Sequence, residues 1–309
     1  MPAFVTHVFF GDLVGRELQG PAKSCIEQQP AAFFWGLQGP DLLFFRDAVR
    51  GKSPLPSYGG VMHKKNTGEL FAAMAQYIAA CPQKPCRQIL TAYFMGFLCH
   101  YYLDFTAHPY VYFLQEQKKR HTPKAEQAGL HNLIESDIDT ALHRLYAKKP
   151  VGRYRIAKEL QGTSELYQAV GAMYCHVLKE VYGITVESRE MLDCFSDMLF
   201  IIKAVLDPAG LLLPVVQLAE RYVLGKPNSI SAHIRRSRTY EDILNQRKKL
   251  WHHLSTPQKK ENLSFLDLME QAKAMALTGL PQWFQYVQQG EAPVFQALPS
   301  FDNGAPAAQ

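Results

Sequence analysis

One stretch constrains the fold of this 309-residue chain more than any other. "ILTAYFMGFLC" (89–99) is almost wholly apolar and runs directly into "HYYLDFTAHPY" (100–110). The first part reads as a helix heading into a protein core. In the second, His100, Asp104 and His108 recur at steps of four. Each such step turns an α-helix by only about 40°, so the three side chains share one face. Ionisable groups on one side of a core helix are costly to bury unless something satisfies them. A second stripe follows in "HNLIESDID", where His131 and Glu135 are again four apart. Imidazole and carboxylate at that spacing let two side chains of one helix grip a single metal ion. A lone core histidine is usually just hydrogen-bonded. Two such stripes on two apolar helices point to metal.

Helical periodicity dominates the rest and strand signals are scarce, so the expected fold class is all-α, a multi-helix single domain over 1–290 followed by a flexible tail at 291–309. "NTGELFAAMAQYIAA" opens with a capping-box pattern, Asn66 and Glu69. Pro85 suits the first turn of the long apolar helix. Pro109 is expected to bend or end that helix just past His108. Further helices are expected at 125–147, at 164–182 between Thr163 and Gly183, and at 187–206, 209–224, 239–254 and 257–278. Residues 50–60 read as a loop.

At 47% hydrophobic residues the chain can build one large core, and its net charge of +5 is mild. That charge favours anionic ligands slightly and does not by itself indicate nucleic acid. The N-terminal run lacks a basic region and a long apolar one. The apolar stretch 198–218 is broken by Lys203, Asp207, Pro208 and Pro214. Neither a signal peptide nor a transmembrane span is therefore expected, and the expected location is the cytoplasm. Six cysteines fit a reducing compartment as small apolar residues. Cys81 and Cys86, with prolines between them, do not have the spacing of a standard zinc knuckle.

Three more candidates lie upstream: His7 in an apolar run, Asp41 in the Gly-Pro turn of "GLQGPDLLFF", and His63 after "SYGGVM". Singly they are weak. Their order carries the information: His, G-P-D, His, H-x3-D-x3-H, then H-x3-E. This ordered set resembles the zinc-dependent phospholipase C family, which shares a fold with the S1/P1-type nucleases. The "HPY" after the first stripe resembles an intracellular bacterial branch of it.

The resemblance implies a site for two to three zinc ions. Asp41, His63, His100 and Asp104 would hold one, and His108, His131 and Glu135 a second. His7, Asp104 and the N-terminal residue would hold a third. Pro2 would be that residue once the initiator Met is removed, with His7 five residues on as in the nuclease relatives. Asp104 would bridge two ions, and Asp41 would double as general base for a water attacking phosphorus in line. The implied substrate is a phosphodiester, with a phospholipid and peripheral contact with a membrane in view. A nuclease or nucleotide phosphohydrolase would use the same metals. A non-catalytic, metal-stabilised helical binding protein is the alternative of another class, against which stands the retention of every ligand type. Two departures are visible. Secreted relatives prefer a longer step between the bridging Asp and the next His. The acidic residue that recognises choline has no counterpart in "PAFVT".

Other residues read as packing or solvated groups: His121, His143, His176 and His233, the aromatic pair Phe44 and Tyr58, and "WHHL" (251–254) as a helix end. The basic runs at 233–238 and 247–249 read as a solvated face. Asp139 divides evenly between a partner of the ligands and a solvated carboxylate.

Overall fold

The computed structural model describes residues 4–47, 52–127, 129–149, 151–154, 160–225, 227–228, 230–236, 239, 242–289 and 298–302. Its long elements are all helices. They are α1 (Phe4–Glu17), α2 (Gly20–Gln28), α3 (Pro30–Gly36), α4 (Leu55–Met62), α5 (Thr67–Ala79), α6 (Lys84–Lys119), α7 (Leu130–Ala147), α8 (Ser164–Tyr182), α9 (Ser188–Val205), α10 (Leu212–Ala219) and α11 (Phe265–Gln289). A 3₁₀ turn, Gly39–Phe45, links α3 to α4. A two-stranded antiparallel ribbon pairs β1 (Trp251–His252) with β2 (Lys260–Glu261).

Helix α6 is the axis of the molecule, with α1, α2, α3, α5, α7, α8 and α11 packed against it. Its apolar run is buried almost without interruption from Ile89 to Tyr101. Pro85 sits in its first turn as expected. Pro109, however, does not end it. The helix continues to Lys119, with Pro109 buried inside it. One lost backbone bond is tolerated where neighbouring helices hold both flanks. Where α3 crosses α6, the backbones nearly touch. A Cβ on Gly36 would lie 2.0 Å from the Tyr93 carbonyl oxygen, and one on Gly96 would lie 2.1 Å from that of Phe33. Only glycine permits this approach. It brings Leu37 onto the turn of α6 that carries His100.

Several expectations need correction. Asn66 does stand before α5, but in the left-handed region with no capping bond, and its amide donates to Val181 O instead. The capping box lies elsewhere, before α11. There Ser264 N donates to Asp267 Oδ2 at 2.7 Å and Asp267 N to Ser264 Oγ at 3.2 Å. Residues 257–264 therefore precede that helix rather than form its start. No helix covers 242–254 among the described residues. Trp251 is buried at the start of β1, where its indole donates to Leu263 O. The 50–60 loop contains the start of α4. Residues 298–302, assigned to a flexible tail, are built into the core. Phe301 is fully buried and its N–H donates to His63 O at 3.0 Å. Helix α8 lies where expected, with Thr163 accepting from Leu166 N and Gly183 left-handed at its end.

Candidate metal centre

Four segments deliver the candidate ligands to one place. His7 comes from the start of α1, Asp41 from the 3₁₀ turn, and His63 from the residue after α4. His100, Asp104 and His108 line one face of α6, and His131 and Glu135 one face of α7. Asp104 is the hub. Its Oδ1 is 3.2 Å from His7 Nε2 and 3.9 Å from His108 Nε2. Its Oδ2 is 3.0 Å from His100 Nε2 and 3.8 Å from His63 Nε2. Asp41 Oδ1 lies 3.2 Å from His63 Nε2, and Asp41 Oδ2 lies 3.7 Å from His100 Nε2. Beyond His108, Glu135 Oε1 lies 3.5 Å from His108 Nε2 and 3.1 Å from His131 Nε2. Solvent reaches the cluster at His131, whose side chain is 23% exposed; His7, His63, His100 and His108 stay between 0 and 9%.

The far sides of the rings explain their orientation. His63 Nδ1 lies 2.7 Å from Gly59 O, His100 Nδ1 3.0 Å from Leu37 O, and His108 Nδ1 2.8 Å from Phe301 O. A carbonyl only accepts, so each Nδ1 carries the proton and each Nε2 turns a lone pair toward the cluster. His131 Nδ1 has Gln115 Oε1 at 3.4 Å. His7 is held by stacking, its ring 4.1 Å from that of His100. Phe44 stacks on His63 in the same way, at 5.4 Å.

The electrostatics are those of a site built for cations. Burial would raise the Asp104 pKa, yet the charges of His100, His108 and His7 pull it well below the usual carboxylate range. Glu135 is likewise lowered against its burial, by His131 and His108. Burial would lower His108, but Asp104 and Glu135 raise it to about 10. His100 is raised for the same reason, through Asp104 and Asp41. Even so, His7 Nδ1, Asp41 Oδ2, His100 Nε2 and Glu135 Oε2 are buried without a hydrogen bond. Ligand atoms of His63, His100 and Asp104 lie within 4.8 Å of one another, as do those of His108, His131 and Glu135, and those of His7, Asp41 and His100. Nitrogen and carboxylate donors without thiolate suit zinc. Orphaned buried donors and acceptors converging on common points are what a bound cation would satisfy.

Three supports carry weak or no sequence signals. Gly39 has φ +53°, and a Cβ there would lie 2.4 Å from the His100 ring. The glycine of G-P-D is thus required twice over. Its carbonyl accepts from Tyr174 Oη at 2.7 Å, which ties α8 to the Asp41 turn. Asp139, fully buried, accepts from Val5 N at 3.3 Å and from Thr6 N at 2.8 Å. It also accepts from the guanidinium of Arg235, at 2.6 and 3.1 Å. A carboxylate on the free N–H groups of a helix start is favourable, and here it holds α1, and with it His7, in place. Of the histidines set aside, His143 is bonded to Lys149 O and His176 lies against Tyr77.

Comparison with known families decides the ancestry of this arrangement. The profile described as zinc dependent phospholipase C matches residues 6–184. This chain belongs to that family. No curated protein and no solved structure matches it. The quoted motifs end near residue 145, but the zinc-dependent phospholipase C match continues through α8, the helix that supplies Tyr174. It includes every candidate ligand except Pro2, which lies outside the described residues. The all-α architecture is that of the zinc-dependent phospholipase C fold. No helix among the described residues is long and apolar enough to cross a membrane.

Proposed function

We propose that this chain is a zinc-dependent phosphoesterase that hydrolyses a phosphodiester, with phospholipid as the leading substrate class. The observation that carries the reading is Asp104, a single buried carboxylate within 3.0–3.9 Å of four imidazoles from three helical segments. A carboxylate in that position would be shared by two of the ions. Asp41, His63, His100 and Asp104 would hold one zinc; His108, His131 and Glu135 a second; His7 and Asp104, with Pro2, a third. Zinc bound there would supply Lewis acidity and a water of lowered pKa.

The chain's own residues do the rest. Asp41 Oδ2, buried and without a hydrogen bond, would accept the proton of the attacking water. A positioned base of this kind contributes roughly 10²–10⁴-fold. The carbonyls of Gly59, Leu37 and Phe301 fix the tautomers of His63, His100 and His108, so that no ring needs to reorient during turnover. Water adds to phosphorus, the phosphoester bond to the leaving alcohol breaks, and that alcohol takes up a proton.

The test is an assay of purified, zinc-loaded protein on phospholipid, dinucleotide and p-nitrophenyl phosphodiester substrates. Expected is hydrolysis of phospholipid and of the p-nitrophenyl diester, lost on chelation and in Asp41→Asn. Preference for the dinucleotide would move the reading to a nuclease. No turnover of any substrate with zinc bound would leave a metal-stabilised binding protein.

A further inference from the structure

Beyond the family-matched region, residues 211–224 break the ordinary helix pattern. Leu211, Val215, Leu218, Tyr222 and Val223 are 64–78% exposed, and no residue of α10 is buried. The helix continues as a π-turn, Glu220–Leu224, in which the one buried residue is the acid Glu220. Apolar side chains point outward and the polar anchors inward.

Those anchors show that the arrangement is held rather than left unpacked. Asp207 accepts from Leu211 N and Leu212 N at 3.1 Å and from Leu213 N at 3.0 Å, satisfying the first N–H groups of α10. Glu220 accepts from Asn228 N at 3.1 Å, from Ser231 N at 2.9 Å, from Ser231 Oγ at 2.5 Å and from Ile230 N. Both ends of the segment are therefore fixed by buried or half-buried carboxylates.

The same bonds decide the charge of the surface. Asp207 and Glu220 are the only acids between Lys203 and Gly225, and both are committed to N–H and O–H donors. Lys203 and Arg221 are exposed. The segment thus offers apolar side chains, a tyrosine and the exposed cation Arg221. At about 1.5 Å per residue, Leu212–Leu224 spans roughly 20 Å, short of the roughly 30 Å of a bilayer's hydrocarbon. It can lie in the plane of a membrane and cannot cross it. Self-association through this segment would bring two copies of Arg221 together, with Asp207 and Glu220 already committed to donors of their own chain.

We infer that residues 211–224 form an interfacial element that docks this protein onto an anionic phospholipid surface, with the apolar side chains of α10 and its π-turn entering the headgroup boundary and Arg221 on an anionic headgroup. The inference is argued from this segment alone. It would bring the proposed phosphodiesterase to its lipid, but it does not depend on that chemistry.

The test is sedimentation of the full chain, in the Asp41→Asn form so that lipid is not consumed, with phosphatidylcholine vesicles containing or lacking phosphatidylglycerol. Binding is expected with phosphatidylglycerol and much less without it. Arg221→Ser should weaken binding about fivefold, and the double variant Val215→Asp/Leu218→Asp about tenfold or more. Circular dichroism and elution volume should stay unchanged in both variants, because these side chains touch solvent. Binding equal in all variants, equal on both vesicle types, or absent overturns the inference. A dimer in the Asp41→Asn form that Val215→Asp/Leu218→Asp dissociates, without vesicle binding, would show that the face pairs with a second copy. Hydrolysis of a soluble diester by the wild-type chain is read separately, so the two proposals can fail independently.

Discussion

Helices α6 and α10 both violate the rule that apolar groups face in and polar groups face out, and they do so in opposite directions. Helix α6 carries His100, Asp104 and His108 into the core, where His100 is 0% exposed. Helix α10 carries Val215 and Leu218 into solvent at 65% and 64% exposure. In α6 the compensation lies within the protein: opposite charges, two carbonyls on the far side of its two imidazole rings, and a donor set fit for cations. In α10 no described residue covers the apolar side chains, and the membrane proposed above would cover them. Local departures from pattern that the surrounding structure holds in place mark sites of function.

The most severe way to break this comparison is Asp104→Ala. It removes the carboxylate that faces four imidazoles and leaves their buried Nε2 atoms without it. Elemental analysis should find a loss of more than one zinc per chain, with phosphodiesterase activity abolished. Unchanged metal content would mean that Asp104 bridges nothing.

Asp139→Asn attacks the support rather than the site. Breaking the buried pair with Arg235 should cost about 3–5 kcal/mol in denaturant unfolding. Zinc content should fall as well, because one of the two oxygens that accept from Val5, Thr6 and Arg235 becomes an NH2 group at the start of α1, beside His7. A stability loss with full zinc content would reduce Asp139 to a purely structural role.

Asp41→Asn keeps the shape of the turn and removes a charge. Activity should drop by roughly 10² or more, with most of the zinc retained. An enzyme as fast as wild type would remove Asp41 from the mechanism.

A pH titration sharpens the contrast in chelator-treated protein. The His108 pKa, raised from 6.5 to about 10, contributes stability that is complete below 6.5 and lost as pH rises through 10. The melting temperature of metal-free protein should therefore decline across that window, and the decline should shrink in His108→Gln. Zinc uptake in the same range should release protons. A flat profile in metal-free wild type would mean that His108 is not charged in the fold.

The smallest effect is expected on α10. Leu218→Ser or Val223→Ser should change folding stability by no more than about 0.5 kcal/mol, as for other exposed sites. A large loss would mean that this face is covered within the chain, and the comparison with α6 would lapse.

What the sequence determined alone is local. Steps of four on one helix place His100, Asp104 and His108 together, and His131 with Glu135, whatever else the chain does, because the helix repeat is set by the backbone. Thr163 and Gly183 bound α8 for the same kind of reason. The breaks in the 198–218 run likewise exclude a membrane span there. What only the tertiary structure decided depends on contacts across long separations and on groups without a sequence signature. The acceptor for His108 is the backbone carbonyl of Phe301, 193 residues away, and any residue type could have supplied it. Asp139 divides evenly between a partner of the ligands and a solvated carboxylate until Thr6, 133 residues earlier, and Arg235 are seen against it. Over 242–254 the helical pattern yields to turns and the short strand β1, where Asn245 Nδ2 donates to Leu263 O at 3.0 Å and the Trp251 indole donates to the same oxygen at 3.0 Å. Pro109 reads as a bend or an end in α6, but the helix continues to Lys119, where packing along both flanks outweighs one missing hydrogen bond. Propensity and spacing act over a few residues and are legible in order along the chain; burial and charge pairing act through space, and their balance exists only once the helices have met.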